Sequence, residues 1–138
     1  MTEEEKAAIE LFCNRKAFLI FCKAKINEKL FTSKLYKKIK TNDFKVKIII
    51  NDGSQCYASI KCYFQYNNDL FVAFYNYNIV EDRRIIIEKF SLLVSNILPV
   101  EKSNVLNIVK IADISSITNV ILNNNYICVP PHLLNVFM

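Results

Sequence analysis

Lysine and tyrosine carry most of the chemistry that this chain offers. Residues 23–47 hold Lys23, Lys25, Lys29, Lys34, Lys37, Lys38, Lys40, Lys45 and Lys47 against only Glu28 and Asp43, a net charge of +7. The remaining residues carry nine bases and eleven acids, a net of −2, so the whole positive excess lies in one short stretch. Clustered ammonium groups attract phosphate backbones, bind without reading base sequence, and weaken as salt rises. A solvated face in a lysine-biased sequence would look the same. Strand alternation also puts Lys45, Lys47, Tyr57, Lys61 and Tyr63 on one outward face. Lysine interleaved with tyrosine combines phosphate contact with base stacking on RNA-binding sheets. The bland alternatives are lysines that guard a sheet edge and tyrosines that pack under another element.

Other chemistries find little support. Gly53 is the only glycine, which rules out a glycine-rich phosphate cradle, a dinucleotide fingerprint and a nucleophile elbow. The five cysteines, Cys13, Cys22, Cys56, Cys62 and Cys128, include no Cys-x-x-Cys pair, and one histidine cannot complete a common zinc set. No metal and no cofactor is expected. Cys56 and Cys62 share strand parity, which places both on a buried face. A thiol–imidazole pair could form only from Cys128 and His132, and it lacks an evident orienting group. Glu81, Asp82 and Glu88 fit helix-end and surface positions. The expectation is a protein without catalytic residues.

The elements that must position the lysines follow from periodicity. Thr2 and Glu5 form a capping box, and Ala8, Leu11, Phe12, Phe18, Leu19, Cys22 and Ile26 recur at roughly helical spacing, which predicts a helix over residues 3–25. Ser33 caps a short helix at 34–40. Residues 44–50 and 55–66 alternate as two strands joined at Asn51-Asp52-Gly53, and Asn67-Asn68-Asp69 leads into a third at 70–77. A two-residue loop there turns Phe71, Ala73 and Tyr75 inward, and a three-residue loop turns Leu70, Val72 and Phe74. A helix opens at Glu81-Asp82 and stops before Pro99, with Ile86, Phe90, Leu93, Val94 and Ile97 as its apolar stripe. A buried strand is expected at 105–112, a short helix around Ile114, Ile117, Val120 and Ile121, and a short strand at 126–129. The fold class is therefore α+β: N-terminal helices, a three-stranded antiparallel meander, an amphipathic helix, then one or two strands.

At 138 residues the chain is expected to be one domain. Ile, Asn and Lys are abundant and Ala, Arg and Gly scarce, which points to an AT-rich genome such as that of an intracellular parasite, a large DNA virus or a low-GC bacterium. The longest apolar run, 17–22, is too short to cross a bilayer, and the start Thr2-Glu3-Glu4-Glu5 is acidic where a signal peptide is basic. An odd cysteine count fits free thiols in the cytoplasm. The helix–three strands–helix order is similar to that of double-stranded RNA-binding domains, but their glycine-containing loop is absent and only Arg83 and Arg84 stand at the second helix start. Asp69-Leu70 to Glu88-Lys89-Phe90 is loosely similar to the small Alu-domain subunits of the signal recognition particle. Neither resemblance assigns a family. The leading expectation is a binding protein that docks on RNA or a ribonucleoprotein. The alternative is a protein-only regulatory or assembly subunit, binding through the tail at 132–138 or through Phe71, Tyr75 and Tyr77. No membrane partner is expected.

Overall fold

The computed structural model describes residues 1–35, 45–79, 97–122 and 126–128. Helix α1 (Glu3–Phe12) starts with the capping box in place: Glu5 N–H donates to Thr2 Oγ1 at 3.1 Å, and Thr2 N–H donates to Glu5 Oε1 at 2.8 Å. The helix stops at Phe12, well short of Lys25, because Asn14 and Arg15 turn left-handed at φ 54° and 59°. The apolar residues beyond it form strands instead: β1 (Leu19–Phe21), β2 (Lys23–Ile26) and β3 (Lys29–Thr32). Asn27 and Glu28, at φ 51° and 69°, close the β2–β3 hairpin in the turn whose twist matches its strands.

The rest of the described chain is mostly antiparallel sheet. It contains β4 (Lys45–Ile50), β5 (Gln55–Tyr66), β6 (Asp69–Ile79), β7 (Ile97–Lys110), β8 (Ile114–Asn119), β9 (Ile121–Leu122) and β10 (Tyr126–Cys128). Their order is β8-β4-β5-β6-β7-β10-β9, with β1 added to β5 beyond the end of β4. The β4–β5 hairpin turns at Asn51-Asp52-Gly53, where Gly53 N–H donates to Ile50 O and Gly53 sits at φ +92°. The β5–β6 loop has two residues, Asn67 and Asn68, both left-handed.

Both faces of the central strands are covered. On one face Val46, Ile48, Ala58, Ile60, Val72 and Phe74 pack with Ile26 and Phe31 of the β2–β3 hairpin. On the other, Ile9 and Cys13 from the α1 region pack on Cys62, Phe64, Phe71 and Ala73. The alternative inward sets of β6 therefore both contribute to the core, Phe71 and Ala73 on one face and Val72 and Phe74 on the other. Only a sheet with a single covered face gives clean apolar–polar alternation.

The expected α+β layout, with a three-stranded meander, is thus corrected to an eight-stranded sheet, a separate hairpin and, among the described residues, one α-helix. Residues 114–121 contain strand, not helix. β8 carries an extra residue, Ser115, opposite Ile49 and Ile50, and this bulge puts Ile114 and Ile117 on the same face at a spacing that imitates a helix. The strand expected at 105–112 is the end of the longer β7 up to Lys110, with Ile111 and Ala112 in a 3-10 turn, and it is half-buried rather than buried, Val105 being 66% exposed. The helix expected from Glu81 lies outside the described residues, except for Ile97 and Leu98, which begin β7. The helix at 34–40 lies largely outside them, as does the tail 132–138.

A Cβ on Gly53 would meet nothing within 4 Å, so its φ is the only obstacle to a side chain. Gly53→Ala is expected to lower stability by about 1 kcal/mol in urea denaturation, from backbone strain alone. Asn68→Gly, already left-handed, is expected to change stability by less than about 0.5 kcal/mol.

Candidate anion-binding cleft

The site begins with a local irregularity in β5. Ile60 pairs with Phe74 and Cys62 with Ala73, so Lys61 is an extra residue without an opposite number on β6. The bulge reverses side-chain parity along the strand. Before it, Ala58 and Ile60 face the hairpin; after it, Tyr63 does so, while Cys62 and Phe64 face α1. Lys61 projects on the α1 side, where its Nζ lies 3.5 Å from Glu5 Oε1.

The same bulge lies at a gap in the edge of β5. β4 pairs with β5 only up to Ser59, and β1 resumes pairing at Tyr63. The chain leaving the hairpin fits this gap: Lys34 N–H donates to Ile60 O at 2.9 Å. Ser33 Oγ donates to Cys22 O at 2.7 Å and Tyr63 Oη to Thr32 O at 3.3 Å, which fixes the hairpin base over the sheet.

β7 supplies the third side. Tyr75 pairs with Leu106 and Tyr77 with Lys102, so β6 advances two residues while β7 advances four. Ser103, Asn104 and Val105 thus stand opposite Asn76 alone, a bulge with two surplus residues, and Val105 N–H donates to Ser103 Oγ at 3.2 Å. The two irregularities flank Tyr75 and open a cleft of about 580 Å³, lined by Lys34, Lys61 and Lys102 with Ser59, Ser103, Asn104, Thr2, Tyr75, Glu4 and Glu5.

Glu5 holds this cleft together. Its carboxylate is only 6% exposed; it accepts Thr2 N–H on Oε1 and Tyr75 Oη on Oε2 at 2.7 Å, and it pairs with Lys61. Burial pushes its pKa up, but the hydrogen bonds from Thr2 and Tyr75 and the Lys61 charge outweigh this and hold it at about 2. The Tyr75 hydroxyl is raised to about 12, by burial and by the bond it gives to Glu5. Lys102 Nζ lies 4.9 Å from the centre of the Tyr75 ring. Its own pKa is lowered, first by burial and then by the charges of Lys34, Lys45 and Lys61, with Glu5 acting the other way. The cleft lining thus holds three lysines against two carboxylates, Glu4 and Glu5.

The structure redistributes the lysine–tyrosine face read from sequence. Lys45, Lys47, Tyr57 and Lys61 do share the α1 side of the sheet, in register with Tyr75, Tyr77 and Lys102. Lys47 and Tyr57 are buried there, however, and the bulge sends Tyr63 to the opposite core. Lys45 is half-buried, with Nζ donating to Tyr77 Oη at 3.1 Å. An open stacking platform is thus replaced by a covered face with a cleft at one end. Lys23, Lys25 and Lys29 are exposed on the hairpin, and Lys34 joins the cleft; Lys37, Lys38 and Lys40 lie outside the described residues. Periodicity did not disclose the roles of Glu5, Ser59, Tyr75 or Lys102. The only hint was the run of four polar residues Glu101-Lys102-Ser103-Asn104 inside a largely apolar strand.

Cys56 and Cys62 lie on opposite faces, contrary to the shared parity expected, because the bulge stands between them; burial raises both thiols to about 11. Among the described residues no group of three His, Cys, Asp or Glu could hold a metal. His132 lies outside them. No protein-family model, curated protein or solved structure matches the chain.

Glu5 makes stability depend on pH. Its folded pKa lies below the ordinary value of 4.5, so the unfolded chain binds the proton first as pH falls. Its contribution is complete above about pH 5 and is lost progressively toward pH 2. Glu5→Ala is expected to cost about 2 kcal/mol at neutral pH and to flatten the acid limb of a plot of stability against pH.

Proposed function

We propose that the protein is a non-catalytic binding protein that docks on an RNA-containing assembly through phosphate contacts. One observation carries this reading: Lys34 from the turn after β3, Lys61 from β5 and Lys102 from β7 line a single cleft whose buried carboxylate already has its partners. The exposed Lys23, Lys25 and Lys29 stand on the hairpin that covers the other face of the sheet, with Lys25 paired to Glu28, so the proposed contact is that of the cleft lysines. Tyr57 and Tyr63 are buried, so base stacking forms no part of the contact. Recognition is electrostatic and tolerant of sequence. The free thiols of Cys13, Cys22, Cys56 and Cys62 suit the cytoplasm, or a host's cytoplasm if the source is a virus or parasite. Among the described residues no helix is long and apolar enough to cross a membrane.

Fluorescence anisotropy with single-stranded RNA tests the proposal. With three phosphate contacts, log affinity is expected to fall with log salt at a slope of about −2. Reversing Lys34 and Lys102 together to Glu is expected to weaken binding at least about tenfold. Binding that ignores both salt and these charges sinks the proposal.

The protein-only alternative gains a different surface from the one expected. Phe71 and Tyr77 are buried, whereas Leu11 and Leu19 are 66% and 62% exposed and Phe12, Ile20 and Phe21 are also open. An exposed apolar group beside a sheet edge suits a protein contact. Leu11→Ser with Leu19→Ser would then abolish capture of a protein partner and leave RNA affinity unchanged.

A further inference from the structure

We infer that the cleft between α1, β5 and β7 receives a phosphate monoester, presented either as the end of an RNA chain or as a free nucleotide. The RNA-end form rests on the docking reading above; the phosphate chemistry rests on the cleft alone.

The inference starts from what the cleft offers. Its volume of about 580 Å³ is large enough for a mononucleotide. Three ammonium groups and the hydroxyls of Ser59 and Ser103 supply donors. The aromatic of the lining, Tyr75, is already committed, with its hydroxyl on Glu5 and Lys102 over its ring. Phosphate is thus better served than a base.

The charge arrangement narrows the ligand further. Both oxygens of Glu5 are engaged, by Thr2 and Lys61 on one side and Tyr75 on the other. The second carboxylate of the lining, Glu4, is exposed. Lys34, Lys45 and Lys61 all repel the charge on Lys102. An anion among these groups would relieve that repulsion, and a doubly charged one would relieve more of it. A monoester carries a charge of about −1.5 to −2 at neutral pH and three terminal oxygens. Lysines reaching in from three parts of the chain match three oxygens. An internal diester has one charge and two such oxygens, and its chain must leave the site in both directions.

The geometry around the lysines favours a fixed site over a diffuse patch. Lys61 is the bulged residue of β5, and its side chain is 14% exposed. Lys102 borders the bulge of β7, and Lys34 is held by its backbone on Ile60. Bulges commonly re-aim side chains at binding sites. Lys61, paired with Glu5, and Lys102, over the Tyr75 ring, are thereby held near their places before the ligand arrives, which lowers the ordering cost of binding.

Two paired titrations test the inference. Calorimetry compares adenosine monophosphate with adenosine, and anisotropy compares one RNA oligomer with phosphorylated and with hydroxyl ends. The expected result is binding of the monophosphate but not the nucleoside, and at least about tenfold tighter binding of the phosphorylated RNA, equal to about 1.4 kcal/mol. Lys102→Gln should remove both preferences with the melting temperature unchanged, and Lys34→Gln provides the same test if Lys102→Gln does not fold. Binding of the monophosphate with no RNA binding supports the cleft's chemistry, assigns a free nucleotide as the source and removes the docking reading. RNA binding that ignores the end group, with no binding of the monophosphate, overturns the inference and leaves the docking reading intact. Binding to neither overturns both.

Discussion

One extra residue in β5 sets the arrangement of this protein. Lys61 has no opposite number on β6, and the strand on either side of it presents opposite faces. Without that shift, Tyr63 would leave the hairpin core, and Cys62 and Phe64 would turn away from α1. A register change of one residue in a doubly covered sheet misplaces every buried side chain beyond it. The bulge also coincides with the gap between β4 and β1, where the Lys34 backbone fits against Ile60. The packing of both faces and the placing of two cleft lysines therefore share a single origin.

Glu5 turns that backbone feature into an electrostatic one. Its carboxylate joins the start of α1 to Lys61 on β5 and Tyr75 on β6. A buried ion pair gains little unless other hydrogen bonds complete it, and here Thr2 and Tyr75 do so. The arrangement satisfies Glu5 and leaves three lysines in the cleft lining, Lys34, Lys61 and Lys102, against two carboxylates, Glu4 and Glu5. Such a cluster is costly for folding alone and favourable for an anion. Proteins commonly keep local frustration of this kind at binding sites.

The sequence disclosed the features whose signals are local. The capping box at Thr2 and Glu5 and the turn at Gly53 occupy the positions expected. The long N-terminal helix failed because the chain uses asparagine where others use glycine. Asn14, Asn27, Asn67 and Asn68 all take positive φ, so abundance that looks like codon bias also marks turns. The helix expected at 114–121 failed because a bulge at Ser115 imitates helical spacing. The tyrosine platform failed for a related reason. Alternation places residues correctly only until a bulge, and Lys61 lies between Tyr57 and Tyr63. Lys102 stayed hidden because it joins the cleft through strand pairing across β6, a long-range relation that no local window contains.

The central claim is that Lys102 sits among repelling cations in a space suited to an anion. Reductive methylation with a carbon-13 label, followed by NMR titration, reads the pKa of its ammonium group directly. A value below the ordinary 10.5 is expected in the free protein, from burial first and the neighbouring lysines second, with an upward shift when a phosphate monoester is added. An ordinary value in the free protein, unchanged by the monoester, would contradict it.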